Sequence, residues 1–354
     1  MVKNQFSDLT CVAGSFLSII ISMEKIKNIL AVNFGGIGDE ILFLPTLISL
    51  KKEFPDAKIT LALEPRSKGI KDLTDIIDEL FLIDVKSKHK YKDLLKLIFL
   101  ARKGHFDLAV TAGGNKFMSI ILFLTGIKKR YGYDTGKLSE ILLTQAVKLN
   151  KKQYACDMYH DLISPVTNIK TNLPEIKLEQ TTREANSILI HPGVSKLSVE
   201  KGMIKTIPAQ KWAQIIDSML EKGKKVILAG GPDDKDCIET IRATMKNASS
   251  ENFVDCYGKT KNLMDLAKLI ASCEKFVCSD SAPLHIAVAL KTKTYVVFGP
   301  TDYKKLIPNS DLVVPILSND NCKLKPCLWE RRQTTCETLD CLNINIDSIV
   351  NTII

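Results

Sequence analysis

A rhythm repeated in both halves of this chain limits its fold more than any other feature: a short apolar run, a turn of Gly, Pro, Ser or Asp, then a segment with helical spacing. Apolar runs without alternation suit strands buried on both faces, and helices between them impose parallel crossovers. In the first half, residues 28–34, 58–63, 79–84 and 108–111 and the stretch around Arg130 read as strands, with helices at 39–52, 92–102 and 116–124. Pro45 lies in the first of these helices and is expected to interrupt or restart it, because it brings no N–H to the ladder. In the second half, strands fall at 187–191, 225–228, 275–278 and 294–298. The 354 residues suffice for two such α/β units. The expected division is an N-terminal extension at 1–22, a first domain at 23–165, a polar linker at 166–186 and a second domain at 187–354.

Composition removes several classes. Apolar residues make up 45% and charged residues 25%, with a mean hydropathy of +0.04, which excludes a disordered chain and a polytopic membrane protein. The net charge of +9 favours anionic ligands without the concentration expected of a nucleic-acid binder. Ten cysteines would suit a disulfide scaffold only in an exported chain. Residues 10–22 are apolar but too short to span a bilayer, and a strand-like segment follows at once. They read either as a weak leader or as an extension before a start at Met23, and the second reading gives a cytoplasmic protein with reduced thiols.

Ligands of doubly wound units bind at the carboxyl ends of the strands, where four turns draw attention. The first, Gly35-Gly36-Ile37-Gly38-Asp39, offers glycines for close backbone approach and a helix N-terminus for an anion. It is a poor dinucleotide fingerprint, since Ile41 stands where a third small residue is needed, so an NAD-linked dehydrogenase is disfavoured. Asp39 is either a general base or an N-terminal helix cap. The second turn carries His191 and Ser195, with Lys205 soon after; Ser195 and Lys205 suit a diphosphate, although a solvated lysine is the plainer reading. The third, Gly230-Gly231-Pro232-Asp233-Asp234, reads as helix capping, as a partner for ribose hydroxyls, or as an oxygen site for a cation. The fourth carries Asp280, Ser281 and, one turn on, His285, which read as a phosphate site or as a core histidine beside a capped helix. Ser281 and His285 do not make a hydrolase triad, for want of a nucleophile elbow.

The order and spacing of these turns together resemble glycosyltransferase family 9, the ADP-heptose:lipopolysaccharide heptosyltransferases, over about residues 26–350. The resemblance is carried by Gly38-Asp39 with Pro45, by Gly126 to Tyr133 with Arg130, by Lys205, Pro208 and Trp212, by Gly230 to Pro232, and above all by Asp280-Ser281-Ala282-Pro283-Leu284-His285 followed by Phe298-Gly299-Pro300-Thr301-Asp302. It implies a GT-B fold, two Rossmann-like domains facing across a cleft, and an inverting, metal-independent sugar transfer with no cofactor. The implied substrates are a nucleotide sugar such as ADP-heptose and a lipid-linked saccharide acceptor, met at the inner face of the cytoplasmic membrane. Asp39 would be the catalytic base. Ser195, Lys205, Asp234, Asp280, Ser281 and His285 would hold the donor, and Gly35, Gly36, Gly38 and Arg130 would form a phosphate or acceptor loop. Where the family commonly has Gly, this chain has Ala282, which leaves the exact donor open. A GT-B nucleotide-sugar epimerase and a non-catalytic nucleotide-sugar binder remain the alternatives.

Two features lie outside these turns. Cys322, Cys327, Cys336 and Cys341 form a tail cluster that reads as structural, with a zinc site as the weaker alternative. The run Lys86 to Lys92 reads as a solvated face, with contact to anionic lipid as the alternative.

Overall fold

The structure is a computed structural model, and it describes residues 26–179, 181–320, 322–328, 336 and 338–354. The expected extension at 1–22 and a start at Met23 lie outside the described residues. The first unit contains strands β1 (Asn28–Val32), β2 (Lys58–Leu63), β3 (Glu79–Leu82), β4 (Leu108–Thr111), β5 (Lys129–Tyr133) and β6 (Gln145–Val147). Its helices are α1 (Ile37–Glu53), α2 (Lys90–Lys103), α3 (Lys116–Leu124), α4 (Lys137–Leu142) and α5 (Ala155–Asp161). The second unit contains β7 (Glu184–His191), β8 (Lys225–Leu228), β9 (Phe253–Asp255), β10 (Cys273–Ser279), β11 (Lys293–Val297) and β12 (Val313–Ile316). Between and after these strands run α6 (Lys196–Glu200), α7 (Ala209–Glu221), α8 (Lys235–Thr244), α9 (Leu263–Ser272), α10 (Ala282–Ala289) and α11 (Ile346–Ile353).

Each unit is built on one six-stranded parallel sheet. The orders are β3-β2-β1-β4-β5-β6 and, read from the far edge, β9-β8-β7-β10-β11-β12, so the same doubly wound topology occurs twice. The chain reverses its winding between β1 and β4, and again between β7 and β10. Backbone crevices open there, beyond the carboxyl ends of the strands. The strands absent from the sequence reading, β6, β9 and β12, are three or four residues long and each forms the edge of its sheet. β12 even carries Pro315, which an edge tolerates.

Two expectations need correction. Pro45 does not interrupt α1, which runs unbroken through it. The missing donor costs one bond of the ladder, but Phe43, Leu44, Leu47 and Leu50 are fully buried around it, and that packing holds the helix. The segment expected as a linker is partly strand, because β7 begins at Glu184, which pairs with Cys273 across an irregularity in the ladder. Before that strand the connection is tied to the first unit: Thr171 donates its N–H to Ser49 Oγ at 3.0 Å, and Lys177 donates to the Leu73 carbonyl at 3.0 Å.

The two units pack on one another through α1 and α10, and one buried apolar cluster takes Ile41 and Leu44 from α1 together with Leu284 and Ile286 from α10. Gly38 makes this approach workable, since a Cβ there would lie 3.0 Å from His285 Cδ2 and 3.7 Å from Ala282 Cα. Among the described residues no helix is long and apolar enough to cross a membrane.

Candidate active site

The crevices of the two sheets face one another across a cleft of about 610 Å³, within the range of a nucleotide-sized ligand. Its lining brings together Gly36, Gly38, Asp39 and Arg66 of the first unit with Ser195, Lys205, Asp234, Asp280, Ser281 and His285 of the second. Residues far apart in the sequence thus meet because both sheets present their carboxyl edges to the same space.

Asp39 sits in the first turn of α1, and its Oδ2 accepts the Gly36 N–H at 2.8 Å. The cap and the base readings therefore hold together: one oxygen is fixed by the turn, and among the described residues nothing bonds Oδ1. Gly35 permits this fold-back, because a Cβ there would fall 2.3 Å from Asp39 Cβ. Arg66, from the turn after β2, donates to the Gly35 carbonyl at 3.4 Å and brings a cation to the rim. Behind the turn, both carboxylate oxygens of Glu40 are buried without a hydrogen-bond partner. Burial, and after it the neighbouring Asp39, push its carboxyl well above the usual carboxylate range, toward the neutral acid.

Across the cleft, Lys205 Nζ lies 3.0 Å from Asp280 Oδ2, and Thr301 Oγ1 donates to the same oxygen at 2.7 Å. The lysine is partly exposed while Asp280 is buried, so the ammonium is the part of this pair open to an anion. Lys205 is placed by its neighbour. Thr206 Oγ1 accepts from Trp212 Nε1 at 3.0 Å, donates to the Pro192 carbonyl at 2.8 Å and lies 2.7 Å from Ser279 Oγ. This hub pins the end of β10, and the turn after β7, to the approach of α7. Ser195 caps α6 through Ser198 N, and Ser281 stands at the N-terminus of α10 with no side-chain cap bond there. His285 is buried, and burial pushes its pKa down to about 4, so a neutral imidazole faces Gly38.

The family model described as glycosyltransferase family 9 (heptosyltransferase) matches residues 95–335. A lipooligosaccharide heptosyltransferase 2 of Haemophilus ducreyi is 30% identical over 91% of this chain and 97% of its own length. The lipopolysaccharide heptosyltransferase 3 of Escherichia coli is 25% identical over 80% of this chain and 86% of its own. Among solved structures, that of E. coli ADP-heptose lps heptosyltransferase II superposes with a TM-score of 0.67 at 18% identity, covering 84% of this chain and 95% of that one. The chain belongs to glycosyltransferase family 9. It is accordingly a glycosyltransferase of the lipopolysaccharide heptosyltransferase family, and its two facing units are the GT-B fold.

Within that family frame, some expected site residues do other work. Arg130 is absent from the cleft lining: its guanidinium donates to the carbonyls of Leu142, Ile127 and Lys128 and tethers the end of α4 to β5. Gly38 faces the partner domain's helix at least as closely as it could face a ligand. Asp234 borders the cleft, yet its Oδ2 accepts the Gly231 N–H at 2.7 Å and lies 3.7 Å from His191 Nε2. Burial drives both His191 and Asp234 toward their neutral forms, so their contact is not a firm ion pair. The four tail cysteines border one small cavity of about 30 Å³, and Cys341 is pushed up to about 11 by burial. Among the described residues no group of three or more His, Cys, Asp or Glu side chains is arranged to hold a metal ion.

Sequence reasoning missed Arg66, Thr206, Ser279 and Thr301 as parts of this site. Thr206 and Thr301 stood inside the motifs that carried the resemblance and were legible as side-chain donors beside Lys205 and Asp280. Arg66 left no signal, because only the folding of the turn after β2 onto Gly35 brings it to the cleft.

Proposed function

We propose that the protein is an inverting transferase that moves heptose from ADP-heptose to a lipid-linked saccharide of the lipopolysaccharide core, working at the inner face of the cytoplasmic membrane. The observation that supports it most is the placement of Asp39 on one wall of the cleft with Lys205, Asp280 and the N-terminus of α10 on the other. A carboxylate opposite the leaving group takes the acceptor hydroxyl's proton as its oxygen attacks the anomeric carbon. The departing diphosphate gains charge, which the Lys205 ammonium and the open end of α10 are placed to stabilise. Such donors can do this without a metal, and the reading accordingly includes none. The family's relatives named for lipopolysaccharide support the acceptor class, and the E. coli neighbour named for ADP-heptose supports the donor.

The test is transfer of labelled sugar from a panel of nucleotide sugars to a lipopolysaccharide-core acceptor, in EDTA, with Asp39→Asn beside the parent. Transfer is expected from ADP-heptose with inversion at the anomeric carbon. Asp39→Asn should lower it by at least about 10²-fold while leaving ADP binding in place. Equal rates in the variant would remove Asp39 as the base, loss of transfer in EDTA would remove the metal-free reading, and turnover of nucleotide sugar without acceptor would favour an epimerase.

A further inference from the structure

The charge of this molecule is not spread over it. Residues 86–137 contain twelve Lys+Arg and three Asp, a net +9, which leaves 37 Lys+Arg and 37 Asp+Glu in the rest of the chain. One segment therefore carries the whole net charge, and it is the segment that builds α2 and α3 and opens α4.

These helices follow β3, β4 and β5 and cover one face of the first sheet, where Leu97, Ala101, Met118 and Leu122 pack into the core. Their outer surface is unusually apolar. On α2, Tyr91, Leu95 and Phe99 recur every fourth residue with exposures of 71%, 66% and 57%, and on the next two helices Phe117, Phe123 and Ile141 are also exposed. Lysines stand at the level of these rings: Lys90 Nζ lies 5.1 Å from the centre of Tyr91, Lys103 4.6 Å from Phe99, and Lys116 5.7 Å from Phe117. A soluble surface has no use for such a stripe, whereas apolar side chains amid lysines fit the boundary between lipid head groups and acyl chains.

We propose that the outer face of α2, α3 and α4 docks on an anionic lipid bilayer, with its aromatic and aliphatic side chains in the head-group boundary and its lysines on the lipid phosphates. The charge complementarity commits the face to lipid over a second copy of this chain, because two copies would juxtapose two +9 segments. The N-termini of the three helices lie at the carboxyl edge of the sheet, the edge that also lines the cleft. A docked molecule would thus hold the rim of its cleft near the membrane. This deepens the lipid-linked acceptor reading without sharing its test, since transfer to a delipidated acceptor depends on the cleft alone.

The experiment is co-sedimentation of the full chain with phosphatidylcholine vesicles with and without phosphatidylglycerol. The parent is expected to sediment only with the anionic vesicles and to be released by high salt. The variant Phe99→Ser, Phe117→Ser, Ile141→Ser should lose at least about tenfold of the bound fraction while keeping the parent's melting temperature and its transfer to a delipidated acceptor. Equal sedimentation with neutral vesicles, or undiminished binding of the triple variant, overturns the proposal. So does a dimer that the three serines dissociate without any vesicle binding by the parent.

Discussion

At the scale of single residues, the cleft shows how burial fixes which groups are charged. Glu40 is next to Asp39 in the sequence, yet it is buried without a partner while Asp39 lines the cleft. Its raised pKa means that the folded protein keeps a proton which the unfolded chain has released. The stability this contributes is present below the ordinary carboxylate range and is lost as pH rises through the raised value. Glu40→Gln is therefore expected to melt higher than the parent at about pH 8 and alike at about pH 4, as thermal denaturation across pH would show. A different residue tests the donor wall. Thr301 donates to Asp280 in a buried setting, and Thr301→Val should cost about 1–3 kcal/mol there, raising KM for the donor more than it lowers kcat.

At the scale of elements, both units use the same device. In the turn after a strand, a glycine N–H binds an aspartate three residues on, Gly36 with Asp39 after β1 and Gly231 with Asp234 after β8. The two aspartates then differ by what packs on them. Both border the cleft, but Asp234 is buried under the turn after β7, so closely that a Cβ on Gly193 would fall 1.7 Å from its Oδ1. Gly193→Ala must displace the Asp234 side chain and with it the contact to His191. A lowered melting temperature and at least about tenfold weaker nucleotide binding by calorimetry are expected, since misplaced groups in a preorganised site lose affinity at about this scale. Retained binding would show that the β8 turn does not shape the donor site.

At the scale of the whole molecule, the site exists only where two sheets of the same topology face each other, and a ligand that spans the cleft must tie them together. ADP is accordingly expected to raise the melting temperature, by an amount equivalent to about 2.7 kcal/mol at a hundredfold excess over its Kd. A thermal shift titration measures it, and an unchanged melting curve would count against a nucleoside diphosphate in the cleft. The separation of charge belongs to this scale too: the basic segment lies on the outer helices of the first unit, while the cleft itself balances Lys205 against Asp280.

The sequence by itself determined the repeated α/β rhythm, the central strands and the turns with Asp39, Lys205, Asp280 and His285, because buried parallel strands need apolar runs and their carboxyl ends need small or polar residues. It did not determine β6, β9 and β12, edge strands of three or four residues with little pattern, or the continuity of α1 through Pro45, which depends on packing. Nor could it show Arg130 spent on backbone carbonyls, or Arg66 drawn to the cleft. Tertiary structure alone decided these, because a hydrogen bond or a buried carboxyl is fixed by what lies opposite in space, whether the opposing residue is a few positions away, as for Arg130 and Lys128, or across the fold, as for Arg66 and Gly35.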